Sequence, residues 1–180
     1  MPAHATTTVY PDPHVESTSV GGMVYTYGGT WAGNRAASDG NDADDVQEHM
    51  FCQDQLSYTG LMRTWTLFDT SSISAGDVIT AAVLSVTGHD VHDDWNYAEE
   101  YHYCTISGGA PASNTALVVA DYSAMTALNS PTEFVARTIS TRNFNDDDTA
   151  YNNVFTFNAD GRAAVAKGGI SKFMWRDSHE

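Results

Sequence analysis

Residues 63–86, RTWTLFDTSSISAGDVITAAVLSV, leave this chain few folds to choose from. Side chains on an extended strand alternate between two faces, so Arg63, Trp65 and Leu67 share one face and Thr64, Thr66 and Phe68 the other. The cluster Asp69, Thr70, Ser71, Ser72, Ser74 and Gly76 then breaks the strand, because short polar side chains bond to nearby backbone and glycine turns cheaply. A β-branched run restarts at Val78. The grammar is strand, polar turn, strand.

The same grammar recurs along the chain. Strands are expected at Met23–Tyr27 and at about 46–53, 61–68, 78–88, 99–106, 133–140, 151–157 and 170–176. Clusters of Gly, Ser, Asp and Asn separate them, a pattern that favours a β-sandwich. Two helical pieces are expected. One lies around Ala120–Leu128. The other spans about Ala159–Lys167, with Asn158 as N-cap, Asp160 in the first turn and Gly168 as the stop. At 180 residues, with 42% hydrophobic content, the chain suits one domain with a real core. Residues 1–20 read as an extended arm or first strand, with Asp12 held between Pro11 and Pro13, and 21–180 as the domain. Trp65, Leu67, Phe68, Leu84, Val86, Phe155 and Phe157 are the expected core.

Charge excludes several function classes. Eight basic against 23 acidic residues leave a net charge of −15. Such a surface repels nucleic acid, whose binding needs Lys and Arg against phosphate. No apolar run is long enough for a membrane-spanning helix, so membrane insertion is not expected. The N-terminus lacks the basic region and apolar core of a signal peptide.

The run Phe68-Asp-Thr-Ser-Ser-Ile-Ser-Ala-Gly76, continued by Ile79, Ala82, Leu84 and Val86, resembles jelly-roll modules of the form FD-x-SSI-x-AG-x-x-I. These carbohydrate-binding-module-like β-sandwiches recur in phage structural proteins and in bacterial surface and fibre proteins. Residues 157–173, FNADGRAAVAKGGISKF, resemble the same family's strand, N-x-x-G helix and G-x-T-K-F strand. Ala110–Leu117 and Asp121-Tyr122 resemble its mid-domain crossover, and the likeness spans roughly residues 6–176. The resemblance implies an all-β fold, a single jelly-roll-like antiparallel β-sandwich with one or two short helices. It also implies an extracellular or virion-surface setting. Relatives continue past the K-F-x-x-R strand into a closing strand, whereas this sequence stops at Glu180, so an open sheet edge is expected there. Thr6, Thr7, Thr8, Val9 and Tyr10, held extended by the following prolines, are candidates for an assembly arm that adds to such an edge. The alternative is that they form the first strand of their own sandwich.

Chemistry-bearing clusters are sparse. Asp39, Asn41 and Asp44 lie in an acidic loop that evokes a calcium site but fails the EF-hand pattern, with Ala43 at the third alternate position. Asp90, Asp93 and Asp94, with His89 and His92, form a second polar stretch, and Asn143–Thr149 a third. Each reads first as a solvated loop, and oxygen-held calcium is the alternative; zinc does not suit the spacing. No other cofactor is required. Cys52 and Cys104 are a candidate disulfide, or else two buried thiols. Paired carboxylates are abundant but clustered in loops, and neither a nucleophile elbow nor a phosphate-cradling loop appears, so catalysis is not expected. Trp31, Trp95 and Tyr97 are candidate glycan or subunit contacts. The sequence therefore points to a non-enzymatic structural protein, a self-assembling subunit of a virion appendage or extracellular filament with itself as partner. A carbohydrate-binding or adhesive module with glycan partners is the alternative.

Overall fold

The computed structural model describes residues 5–11, 17–45, 52–53, 60–88, 103–128, 130–137, 151–178 and 180. The chain folds as an antiparallel β-sandwich with two short α-helices. Its elements are β1 (Gly21–Tyr27), α1 (Trp31–Ala36), β2 (Asp42–Asp44), β3 (Cys52–Gln53), β4 (Gly60–Asp69), β5 (Val83–Gly88), β6 (Cys104–Gly108), β7 (Tyr151–Thr156), α2 (Ala159–Ala164) and β8 (Ile170–Asp177), with a 3₁₀ turn at Val119–Ser123. The larger sheet runs β2-β1-β4-β8-β6, with β3 also pairing β4. The smaller sheet is the β5-β7 pair.

The alternation read in β4 is realised, but both of its faces are buried. Phe68 joins Leu84, Ile106, Phe134, Phe155, Phe157, Phe173 and Trp175 in a core between the two sheets. Aromatic edges meet faces there, as where Phe155 and Trp175 cross at 90° with centroids 5.0 Å apart. Trp65 and Leu67 point the other way, into a second core with Val20, Val24, Leu61, Tyr122, Met125 and Met174. Trp31 and the crossover residues Leu117, Ala124 and Leu128 also contribute to that second core. The molecule thus has three layers: the small sheet, the large sheet, and a cover built from α1 and the 109–128 crossover. The expected core residues are divided between the two cores, and Val86 is only half-buried.

Other expectations need correction. Strand β5 starts at Val83, five residues later than expected, because residues 77–82 run without a ladder partner among the described residues. Of the 46–53 strand only Cys52–Gln53 is described. Around Val135 the described residues show a single bridge to Phe157 in place of a strand. Ala120–Leu128 yields only the 3₁₀ turn, where Asp121 Oδ1 and Oδ2 accept from the backbone of Ala112 and Val118 at 2.7 and 2.9 Å. Residues 5–11 adopt no strand. Helix α2 starts as expected, with Asn158 Oδ1 accepting from Gly161 N at 2.9 Å, but it ends at Ala164, short of the expected Lys167, and Gly168, at φ +72°, turns the chain into β8 instead of stopping the helix. Helix α1 was not expected. Thr30 caps it, accepting from Gly33 N at 3.1 Å, but Gly28, Gly29 and Gly33 mask the signal in sequence.

Candidate functional site

Of the residues proposed for calcium, Asp39, Asn41 and Asp44 are described. Asn41 Oδ1 accepts from Tyr27 N at 2.8 Å, Asp39 accepts from the Ser38 hydroxyl at 2.7 Å, and Asp44 belongs to β2, opposite Met23. The expected loop is thus partly an edge strand. Among the described residues no group of three or more His, Cys, Asp or Glu side chains is arranged to hold a metal. Asp90, Asp93, Asp94, Trp95 and Tyr97 lie outside the described residues, as do His89 and His92. Cys104 is a free, fully buried thiol, so no disulfide joins it to Cys52. Burial pushes that thiol far above its ordinary pKa, and the nearby Asp177 charge adds to the effect. Trp31 is half-buried at the start of α1, packed against the second core.

Two surfaces follow from strand geometry. On β1, Tyr25 and Tyr27 project from one face, ring centroids 6.1 Å apart and tilted by 30°. The Tyr25 hydroxyl donates to Asp42 Oδ2 at 3.1 Å, which holds the phenol above its usual pKa. Tyr27 is 61% exposed. On the small sheet, residues facing away from the core alternate with Leu84, Phe155 and Phe157. They are Val83 and Thr156, which pair, Ser85 and Val154, which pair, and Thr87. Val83 is 57% and Val154 49% exposed, and none of the five carries charge. In the arm, Thr6, Thr7, Thr8 and Tyr10 are exposed, whereas Val9 packs onto the core between the sheets.

A third feature, invisible to the sequence reading, is a polar pole on the α1 side of the large sheet. Thr64 pairs with Trp175, so one step further along the ladder Arg63 and Arg176 stand side by side. Arg63 is fully buried, and each of its three nitrogens donates a hydrogen bond. Its Nε donates to Glu180 Oε1 at 2.7 Å and its Nη2 reaches the same oxygen; Nη1 donates to Tyr122 O and Nη2 to Arg35 O at 3.1 Å. The guanidinium also lies 3.9 Å from the Tyr122 ring centroid. The last-turn carbonyls of α1 are thereby capped: Arg35 O by Arg63, and Asn34 O by the Tyr122 hydroxyl at 2.8 Å. Arg35, Arg176, Glu133, Glu180, Ser130 and Ser178 surround a cleft of about 380 Å³ beside this pair. Burial, with Arg63 and Arg35 close by, lowers the Arg176 pKa against the pull of Glu180. Only the register of β4 on β8 brings these residues together, which is why they carried no signal at spacings of 28 to 117 residues.

No family model, characterised protein or solved structure matches the chain.

Proposed function

We propose that this chain is a non-enzymatic structural protein whose copies assemble with one another into a virion appendage or extracellular filament. The observation that carries the reading is the outward face of the β5-β7 sheet. A chain of net charge −15 repels its own copies, and that repulsion is weakest where a surface carries no charge. Val83, Ser85, Thr87, Val154 and Thr156 make such a surface, rich in β-branched side chains. Face-to-face contact there is isologous and closes at a dimer. A filament needs a second, heterologous contact, and the arm Thr6–Tyr10, exposed at Thr6, Thr7, Thr8 and Tyr10 and anchored by Val9, is the segment suited to make it. The virion or filament setting is supported by the resemblance of residues 68–86 and 157–173 to jelly-roll modules of phage and surface fibres. The reading requires no cofactor.

Light scattering coupled to size exclusion tests it. Wild-type protein is expected above monomer mass, and the double substitution Val83→Glu/Val154→Glu is expected to lower that mass by removing the face-to-face contact. Both positions are exposed, so thermal stability should move by no more than about 0.5 kcal/mol per site. A wild-type protein that remains monomeric, or a double variant that assembles as before, refutes the reading.

The Tyr25–Tyr27 pair beside Asp42 favours a second reading, a carbohydrate-binding module. Aromatic faces stack on the apolar face of a sugar ring, and the carboxylate accepts from its hydroxyls. Tyr27→Ala would then abolish saccharide binding by a monomer while leaving self-association untouched.

A further inference from the structure

The arginine-lined cleft is separate from the assembly face, since Arg63 and Arg176 project from the large sheet on the side away from β5-β7. Donor accounting sets its chemistry. Arg63 is charge-paired with Glu180 and bonded to two carbonyls. Arg137 is charge-paired with Glu133, which it grips through Nε and Nη2. Arg35 and Arg176 are different. Among the described residues, Nε of each is buried with no hydrogen-bond partner, and neither side chain forms an ion pair. Arg176 is only 5% exposed, and among the described residues its guanidinium makes a single hydrogen bond, a long 3.5 Å contact from Nη1 to Leu128 O. A buried guanidinium with open donors is costly unless an acceptor satisfies it, and two planar forks facing one cleft fit an oxyanion.

The rest of the lining narrows the class. Three arginines, Arg35, Arg137 and Arg176, line the cleft against two glutamates, Glu133 and Glu180, which leaves one net positive charge for a single carboxylate, and the glutamates accept hydrogen bonds from hydroxyls. Ser130 and Ser178 add hydroxyl groups that donate or accept. A volume of about 380 Å³ falls within the range of small-molecule sites. We infer that this cleft binds a small hydroxylated monocarboxylate of sugar-acid size, its carboxylate held by Arg35 and Arg176 and its hydroxyls by Glu133 and Glu180. A phosphate dianion suits the site less, because its second charge exceeds the one net positive charge of the lining.

Calorimetric titration of the full chain with D-glucuronate, D-glucose and inorganic phosphate tests the inference. Glucuronate is expected to bind, glucose to give no heat, and phosphate to bind more weakly than glucuronate. Arg35→Gln and Arg176→Lys are each expected to weaken glucuronate binding by about tenfold or more, the loss of one charge-assisted fork. Arg35 is half-buried, so Arg35→Gln retains the fold and decides the matter even if Arg176→Lys does not fold. The inference is overturned if glucuronate fails to bind, if glucose binds equally, if phosphate binds more tightly, or if Arg35→Gln leaves the affinity unchanged. None of these outcomes bears on assembly through the small sheet.

Discussion

Arg63 stands one step past the point where β4 and β8 stop pairing, beside Arg176, in a place solvent does not reach. Two guanidinium groups abreast on neighbouring strands repel, and burial strengthens that repulsion. Glu180, itself buried, supplies the compensating charge, and the Tyr122 ring and two carbonyls complete the shell. Removing one partner of a buried ion pair strands the other, at a cost of about 3–5 kcal/mol. Glu180→Ala should therefore lower the urea midpoint substantially. The double replacement Arg63→Met/Glu180→Leu should recover much of the loss, because it removes both charges together. Equal stability of Glu180→Ala and wild type in urea titrations would disprove the pairing.

Among the elements, β4 decides most. Its paired neighbours β1 and β8 run along both sides, and its side chains feed two cores at once. Trp65 fills the second core so closely that a methyl group at Gly109 would meet its ring at 2.3 Å. Trp65→Ala should cost about 3–5 kcal/mol, through the loss of buried surface and the cavity left behind. Phe155→Ala, on the small sheet, should cost a similar amount from the other core. Thermal unfolding of both variants checks this. A tolerant Trp65→Ala would mean that the α1 and crossover layer contributes little to stability.

At the scale of the whole molecule, charge governs how copies meet. With a net charge of −15 and a pI near 4.5, self-association through an uncharged face should strengthen as salt rises. The reason is that screening shortens the range of repulsion to about 8 Å at 0.15 M ionic strength. It should strengthen also as pH falls towards the pI, where carboxylates lose charge. Sedimentation velocity at low and high NaCl reads the first effect directly. Association that weakens with salt would point to ionic contacts and away from the β5-β7 face.

Periodicity and turn chemistry were local enough to be read directly. They carried the all-β class, β4 with its alternating faces, the polar turn after Phe68, and the Asn158 cap of helix α2. Those features depend on neighbours a few residues apart, where backbone sterics and side-chain capping act. Register and layering were decided in three dimensions. Nothing local says that both faces of β4 are covered, that a loop read from Asp39 to Asp45 becomes edge strand β2, or that residues 77–82 stay out of the ladder. The arginine pole shows the limit most clearly. Arg35, Arg63, Arg176 and Glu180 meet only because β4 and β8 pair in one register and α1 lies across their ends, and a single-residue slip would turn Arg63 to the opposite face.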